Sequence, residues 1–240
     1  MSYKYKKMKA KFLAAALLII ASCSPKAGWT PAELAIIANP IAGTAPVLAA
    51  DSVAAGPAAA APEILRVLTI DERTDSLVLR TPCEDFTPSM LQSPEFEALS
   101  TLMLATVQDP SEDGVGIAGP QVGISRRIVA VQRFDKPGEP FEVYPNIRIV
   151  ATHGDLCPGP EGCLSVPGRR GNVMRYRDIE ISYTLVGPTA DGQPGDPLAL
   201  RDTTERVQGF TAVIFQHECD HLDGVLYIDK VIPGTLQESD

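Results

Sequence analysis

Two histidines near the C-terminal end of the 240-residue chain, His217 and His221, are four positions apart. The apolar residues around them recur at three- and four-residue spacing, which predicts a helix that starts near residues 202–205 and ends at Gly224. On such a helix the two imidazoles lie one turn apart on the same face, with Glu218 beside them. Both imidazoles can therefore reach one metal ion, and a carboxylate is placed to handle a proton.

The patterns before this helix predict an α+β fold. Ser93 and Pro94 are typical of a helix start, and the apolar spacing that follows predicts a helix over residues 94–108. Residues 64–70 and 76–79 are short runs that favour strands. Longer runs separated by Gly, Pro and Asp predict antiparallel strands at residues 127–133, 141–144, 147–151 and 179–185.

The first residues of the chain resemble an export signal. Five lysines precede an apolar run at residues 12–20, and small residues follow, which is the order of a secretory signal sequence. The run is shorter than the about 20 apolar residues that a membrane span needs. Residues 1–22 are therefore predicted to be a signal peptide. Cys23, which follows Ile-Ala-Ser, is predicted to be lipid-modified as in bacterial lipoproteins, with ordinary cleavage near an unmodified cysteine as the alternative.

Residues 23–62 are predicted to be a tether that joins the lipidated cysteine to a catalytic domain formed by residues 63–240. This segment is rich in Ala and Pro, and the prolines recur too often for a long helix. Its apolar parts, residues 34–37 and 46–48, leave docking on the domain as an alternative to a free tether.

The charge balance argues against a nucleic-acid partner. The chain carries 21 Lys+Arg against 30 Asp+Glu, a net charge of -9, whereas phosphate-backbone binding needs a clustered positive surface. Removal of the lysine-rich signal would make the mature chain more acidic. Membrane attachment is therefore predicted to depend on acyl chains and not on a basic patch.

Two histidines leave a catalytic metal site one protein ligand short, because such sites usually take three and keep one position open. Cys163 is the candidate for the third ligand. It follows Gly162, which lets the backbone approach closely, and a bound metal would hold its thiolate deprotonated. The remaining histidine, His153, is in a Gly- and Pro-rich segment and is predicted to be a surface residue in a loop.

Three motifs together resemble those of the peptide deformylase family, in the order found in that family. They are Gly114-Val115-Gly116-Ile117-Ala118-Gly119-Pro120-Gln121, Glu161-Gly162-Cys163-Leu164-Ser165 and Gln216-His217-Glu218-Cys219-Asp220-His221. The resemblance covers residues 64–229 and implies antiparallel strands packed around a central metal-binding helix. It also implies an enzyme that removes the N-formyl group from formyl-methionyl peptides. One divalent metal ion is expected, Fe²⁺ by the resemblance, although an oxidising compartment would favour Zn²⁺.

The resemblance also implies roles for individual residues. It makes Cys163, His217 and His221 the metal ligands and Glu218 the general base and acid, while Gln121 and the backbone N–H of Leu164 stabilise the oxyanion. The predicted substrate-binding residues are Val115, Gly116, Ile117, Glu161, Gly162, Arg170, Val213 and Ile214. Among these, residues 115–117 would pair with the peptide backbone, and Glu161 with Arg170 would order the site. Val213 and Ile214 would line a methionine pocket, although plain core packing is equally compatible with the sequence.

One position departs from the family pattern. Gly119 stands where the family commonly has an alanine, and this change is expected to loosen the loop that leads to Gln121.

Two other functions are compatible with parts of the pattern. An H-E-x-x-H metallopeptidase would not need the first two motifs, and a formyl-peptide-binding protein without turnover would share the pocket. Cytosolic relatives often end in a basic helix that docks on the ribosome, whereas this chain ends in Gln-Glu-Ser-Asp, so ribosome docking is not expected. The signal and the tether predict an extracytoplasmic, membrane-anchored lipoprotein, or a cytoplasmic protein if the signal is not used.

Overall fold

A computed structural model describes residues 28–42, 63–112, 114–188 and 198–238. The predicted signal peptide and Cys23 lie outside these residues. Among the described residues, no helix combines the length and the hydrophobicity that crossing a bilayer requires. The described helices are α1 (Pro31–Ala38), α2 (Arg73–Leu79), α3 (Pro88–Leu91), α4 (Pro94–Val107) and α5 (Gly209–Leu222), with 3₁₀ turns at Gly119–Val122 and Tyr227–Asp229.

The strands form antiparallel sheets, so the predicted α+β class is confirmed. The strands are β1 (Ile41–Ala42), β2 (Glu63–Ile64), β3 (Gly116–Ala118), β4 (Ile128–Gln132), β5 (Phe141–Pro145), β6 (Arg148–Cys163), β7 (Val166–Gly187), β8 (Ala199–Gln208) and β9 (Gln237–Glu238). One sheet has the order β3-β4-β5, and a second has the order β6-β7-β8 with the short β9 also paired to β7. A third sheet consists of β1 and β2.

Helix α4 occupies the predicted residues and uses the predicted start. The Ser93 side chain accepts a hydrogen bond from the Phe96 backbone N–H, and Pro94 occupies the first turn. The strand predictions on the N-terminal side of α4 are mostly wrong. Residues 76–79 belong to α2, where Leu79 is fully buried, because a four-residue apolar run fits a helix as well as a strand. Of residues 64–70, only Ile64 lies in a strand.

The expected start of the metal-binding helix near residues 202–205 is also wrong. Those residues belong to β8, which pairs with β7 over its whole length, and α5 begins only at Gly209. Pairing with β7 therefore makes residues 202–205 part of a strand, and the helix that the apolar spacing predicts starts later. His153 is half-buried on β6 and not in a loop, and its Nε2 atom lies 3.1 Å from Oε1 of Glu180 on β7.

One apolar core surrounds α4, and another fixes the central helix. The second core lies between α5 and the strands β4 and β7, and Phe215 and Leu222 of α5 are fully buried in it. The Leu222 carbonyl also accepts a hydrogen bond from the Cys83 backbone N–H. One side of α5 is thereby fixed in the core, while His217 and Glu218 on another side face a cavity.

The structure corrects the expected tether over residues 28–42, a segment that we call the N-terminal arm. Trp29 is buried, packs edge-on against Phe86 and donates a hydrogen bond from Nε1 to the Ser93 hydroxyl. Thr30 caps α1, and Ile37 of that helix enters the core around α4. The proline that was expected to prevent a helix occupies its first turn, where it is tolerated. The docked alternative is therefore correct for these residues, and the rest of the predicted tether lies outside the described residues.

Candidate metal and catalytic site

Three ligand atoms converge at the junction of a hairpin and α5. Cys163 is the last residue of β6 and is paired with Val166 of β7, so the hairpin turn consists of Leu164 and Ser165. The Cys163 Sγ atom lies 3.2 Å from Nε2 of His221, and these atoms and one from His217 lie within 4.8 Å of one another. One sulfur and two imidazole nitrogens form a donor set that suits zinc or ferrous iron. The three side chains can thus hold one metal ion.

The His217 ring is oriented by a carboxylate. Its Nδ1 atom lies 2.8 Å from Oε2 of Glu161, which leaves Nε2 to face Cys163 and His221, and the ring stacks on Tyr227. Such a carboxylate–histidine pair fixes the ring orientation and tautomer of a metal ligand. Glu161 is therefore a support for the ligand, although the sequence placed it among the substrate-binding residues.

The arginine that pairs with Glu161 is Arg175 and not the predicted Arg170. Arg175 donates two hydrogen bonds to the Glu161 carboxylate, at 2.7 and 3.0 Å. Burial opposes the charge of Glu161, but the hydrogen bonds from His217 and Arg175 outweigh it and lower the pKa of Glu161 to about 2. Glu161 lies opposite Gly171 in the hairpin, and Arg175 shares the buried face of β7 with Gly171 while Arg170 lies on the exposed face. Strand alternation therefore excludes Arg170 from this pair.

Glu218 is buried and faces the same cavity. Its Oε2 atom has no hydrogen-bond partner among the described residues, and burial raises the pKa of its carboxyl to about 7. The strand β3 approaches it so closely that a Cβ atom on Gly116 would lie 2.5 Å from Oε1 of Glu218. A buried carboxylate with a free oxygen and a near-neutral pKa is suited to accept and return a proton. The orphaned oxygen also fits a site that is completed by a bound group.

Gln121 is fixed by its own turn. It lies in the 3₁₀ turn Gly119–Val122, where its Oε1 accepts a hydrogen bond from the Ala118 backbone N–H at 2.8 Å. This contact directs Nε2 toward the hairpin turn, 3.2 Å from the Ser165 hydroxyl and 3.6 Å from Cys163 Sγ. A hydrogen-bond donor is thus held beside the metal-binding sulfur.

A cavity of about 410 Å³ opens beside these groups. Of the predicted substrate-binding residues, seven line it, and they are Val115, Gly116, Glu161, Gly162, Arg170, Val213 and Ile214. The cavity also contains Gln121, Cys163, Leu164, His217 and Glu218. Val213 and Ile214 are buried and also line the cavity, so these side chains take part both in core packing and in the cavity wall.

The Ile117 side chain does not line the cavity, and the prediction for residues 115–117 concerned pairing of their backbone with the peptide. This side chain is fully buried in the core around α4, because successive side chains of β3 point to opposite faces and Gly116 takes the cavity side. The backbone of β3 remains available, since within the described residues β3 pairs with β4 alone. The sequence also missed Phe210, Glu112 and Arg169 at the cavity wall, although Phe210 belongs to the apolar stripe that predicted the helix.

The model of the polypeptide deformylase family matches residues 64–236, which is most of the chain. This chain belongs to the polypeptide deformylase family. A peptide deformylase from Leptospira biflexa is 36% identical over 162 residues, which cover 64% of this chain and 82% of that protein. One from Symbiobacterium thermophilum is 40% identical over 121 residues, so the alignment spans about half of each protein, 49% of this chain and 48% of the relative.

Solved deformylase structures share the fold. The class I type b peptide deformylase from Acinetobacter baumannii with bound Met-Ala-Ser is 32% identical, with a TM-score of 0.56 over 70% of this chain and 98% of that chain. The Thermotoga maritima enzyme is 28% identical, with a TM-score of 0.55 over 71% of this chain and 99% of that chain. The predicted family and the predicted removal of an N-formyl group by a metal-dependent hydrolase are confirmed. The N-terminal arm precedes the family match.

Proposed function

We propose that this chain hydrolyses the formyl amide of formyl-methionyl peptides at the cavity beside α5. The proposal rests on the cluster of Cys163, His217 and His221 beside one cavity, which the orphaned carboxylate of Glu218 faces next to the free edge of β3. A divalent metal ion held by the three ligands would supply Lewis acidity at this point.

The residues of the chain perform the proton transfers. Glu218 accepts a proton as water adds to the formyl carbon, and it delivers that proton to the nitrogen of the peptide when the C–N bond breaks and formate leaves. Two hydrogen-bond donors stabilise the negative charge that develops on the formyl oxygen. They are Nε2 of Gln121 and the backbone N–H of Leu164, the first residue of the hairpin turn.

The peptide is assigned to the edge of β3. Backbone groups of residues 115–117 are placed to add the peptide as a further strand, with affinity from main-chain hydrogen bonds. Val213 and Ile214 then face the methionine side chain. The Acinetobacter baumannii deformylase was solved with a Met-Ala-Ser peptide bound, which supports a peptide ligand of this kind.

Product analysis tests the proposed reaction. Incubation with formyl-Met-Ala-Ser is expected to release formate and the intact Met-Ala-Ser peptide in equal amounts, because the site acts on the terminal amide. Acetyl-Met-Ala-Ser serves as the matched control and is expected to react far more slowly. Cleavage of internal peptide bonds would favour a metallopeptidase, and tight binding without formate release would favour a binding protein.

The metal is assigned as ferrous iron from the family resemblance, with zinc as the alternative in an oxidising compartment. Both accept the observed donor set of one cysteine and two histidines.

We further propose that the protein is exported and anchored to a membrane through acylated Cys23, and so acts on formylated peptides outside the cytoplasm. The support comes from the lysine-rich start, the apolar run and the Ile-Ala-Ser-Cys sequence. Because Trp29 is buried in the domain, only residues 24–28 separate Cys23 from the first anchored side chain. The six residue steps from Cys23 to Trp29 span at most about 22 Å, so the anchor would hold the domain close to the membrane surface.

Cell fractionation tests this location. The wild-type chain is expected in the membrane fraction, and Cys23→Ala is expected to leave it because the attachment depends on acyl chains. Ser24→Ala is the control for a neighbouring substitution and is expected to remain with the membrane. Recovery of wild-type protein from the cytosol with its first residues intact would contradict export. Unchanged membrane retention of Cys23→Ala would contradict acylation at that residue.

A further inference from the structure

The N-terminal arm contacts the turn that carries Gln121, although it lies outside the residues that match the family. The first contact is ionic. Nε of Arg126 donates to Oε1 of Glu33 at 2.8 Å, and its Nη2 donates to the Gly28 carbonyl at 3.0 Å. Both charged side chains are nearly buried, at 10% and 5% exposure. The same guanidinium reaches Glu84, whose side chain is largely exposed, so Glu33 of the arm is the buried ionic partner of Arg126.

The second contact is apolar and closer to Gln121. The Ile36 side chain of α1 rests on Gly123, where a Cβ atom would lie 2.8 Å from Ile36 Cδ1. Gly123 ends the 3₁₀ turn and has a φ of +80°, a conformation that glycine adopts without strain. The arm therefore covers the position two residues after Gln121.

The turn that carries Gln121 and precedes these two contacts is tightly closed. The Ile124 backbone N–H donates to the Gly119 carbonyl at 2.9 Å, and a Cβ atom on Gly119 would lie 2.5 Å from the Arg126 carbonyl oxygen. The expectation that Gly119 loosens this loop is wrong, because the missing side chain is what allows the close approach. The Gln121 carbonyl in turn accepts the Leu68 backbone N–H at 2.7 Å.

We propose that the N-terminal arm is a positioning element for Gln121. By holding Gly123 and Arg126, it keeps the turn closed and so keeps Nε2 of Gln121 beside Cys163. This inference rests on the proposed role of Gln121 as an oxyanion donor. The N-terminal arm, which precedes the residues that match the family, would then affect turnover by positioning the Gln121 side chain.

The test begins with Ile36→Ala in the full chain, which removes the contact on Gly123 without leaving a buried charge. The expected result at a temperature well below unfolding is a kcat about 3- to 10-fold lower with an unchanged KM, less than the about 10²- to 10³-fold cost of losing an oxyanion donor outright. Ile149→Ala is the matched control, since Ile149 is also half-buried but packs in the other core, on β6. It is expected to lower the melting temperature and leave kcat unchanged.

A double-mutant cycle with Gln121→Ala separates positioning from general stability. In the Gln121→Ala background, Ile36→Ala is expected to cause no further loss of kcat, because the group it positions is already absent. Hydrogen exchange of the Ile124 amide is expected to accelerate in Ile36→Ala and not in Ile149→Ala. Additive losses of kcat, or a lower melting temperature of Ile36→Ala with wild-type kcat, would overturn the inference. Full activity of Gln121→Ala would instead contradict the proposed role of Gln121.

Discussion

Replacing Glu218 with glutamine is expected to lower kcat by about 10²- to 10⁴-fold while the protein stays folded and keeps its metal. The range is the usual contribution of a positioned general base. Glutamine fills the same space but cannot accept the proton of the attacking water. Because Oε2 of Glu218 has no hydrogen-bond partner among the described residues, its loss leaves no donor unsatisfied.

The control for this variant is Asp223→Asn, just beyond the end of α5. Asp223 is mostly exposed, pairs with the nearly buried Arg127 and does not line the cavity, so its replacement is expected to leave kcat near the wild-type value. Metal content and melting temperature are measured for both variants together with formate release. Near-native turnover by Glu218→Gln would show that another group is the base.

Replacing Cys163 with alanine is expected to remove the metal itself, and with it all formate release. The thiolate is one of three protein ligands, and neither histidine can take its place from a position on α5. Metal analysis after dialysis is expected to find little metal in Cys163→Ala, in contrast to the metal-loaded but inactive Glu218→Gln.

Cys157→Ala provides the matched cysteine control. Cys157 lies on the same strand, β6, and among the described residues its sulfur donates a hydrogen bond to the Asp155 carbonyl and to no candidate ligand. This variant is expected to keep both metal and activity. If Cys163→Ala bound metal with wild-type stoichiometry, the third ligand would have to be another residue.

The clustering of the candidate metal ligands and the candidate base could be predicted from the sequence because their geometry is local. His217, Glu218 and His221 are fixed relative to one another by one helical turn, and Cys163 is identified by a short motif. The cavity-lining role of Val213 and Ile214 follows from the same helix, since both lie one turn before His217.

The parts that could not be predicted depend on contacts between distant segments. Arg175 replaces Arg170 as the partner of Glu161 because the hairpin register decides which face each side chain takes. The N-terminal arm is rich in Ala and Pro, and that composition does not show that Trp29 packs against Phe86 or that Glu33 pairs with Arg126. Val207 belongs to the apolar stripe that predicted the helix, yet pairing with β7 makes it part of strand β8.

Formate release measured against metal content in the same protein preparation tests the proposed metal-dependent mechanism most directly. Anaerobically prepared protein is stripped with a chelator and then titrated with Fe²⁺ or Zn²⁺, and formyl-Met-Ala-Ser is the substrate. Turnover is expected to fall to the background rate without metal and to return in proportion to metal occupancy, reaching its maximum at one ion per chain. Turnover that persists unchanged after complete metal removal would contradict the proposed mechanism.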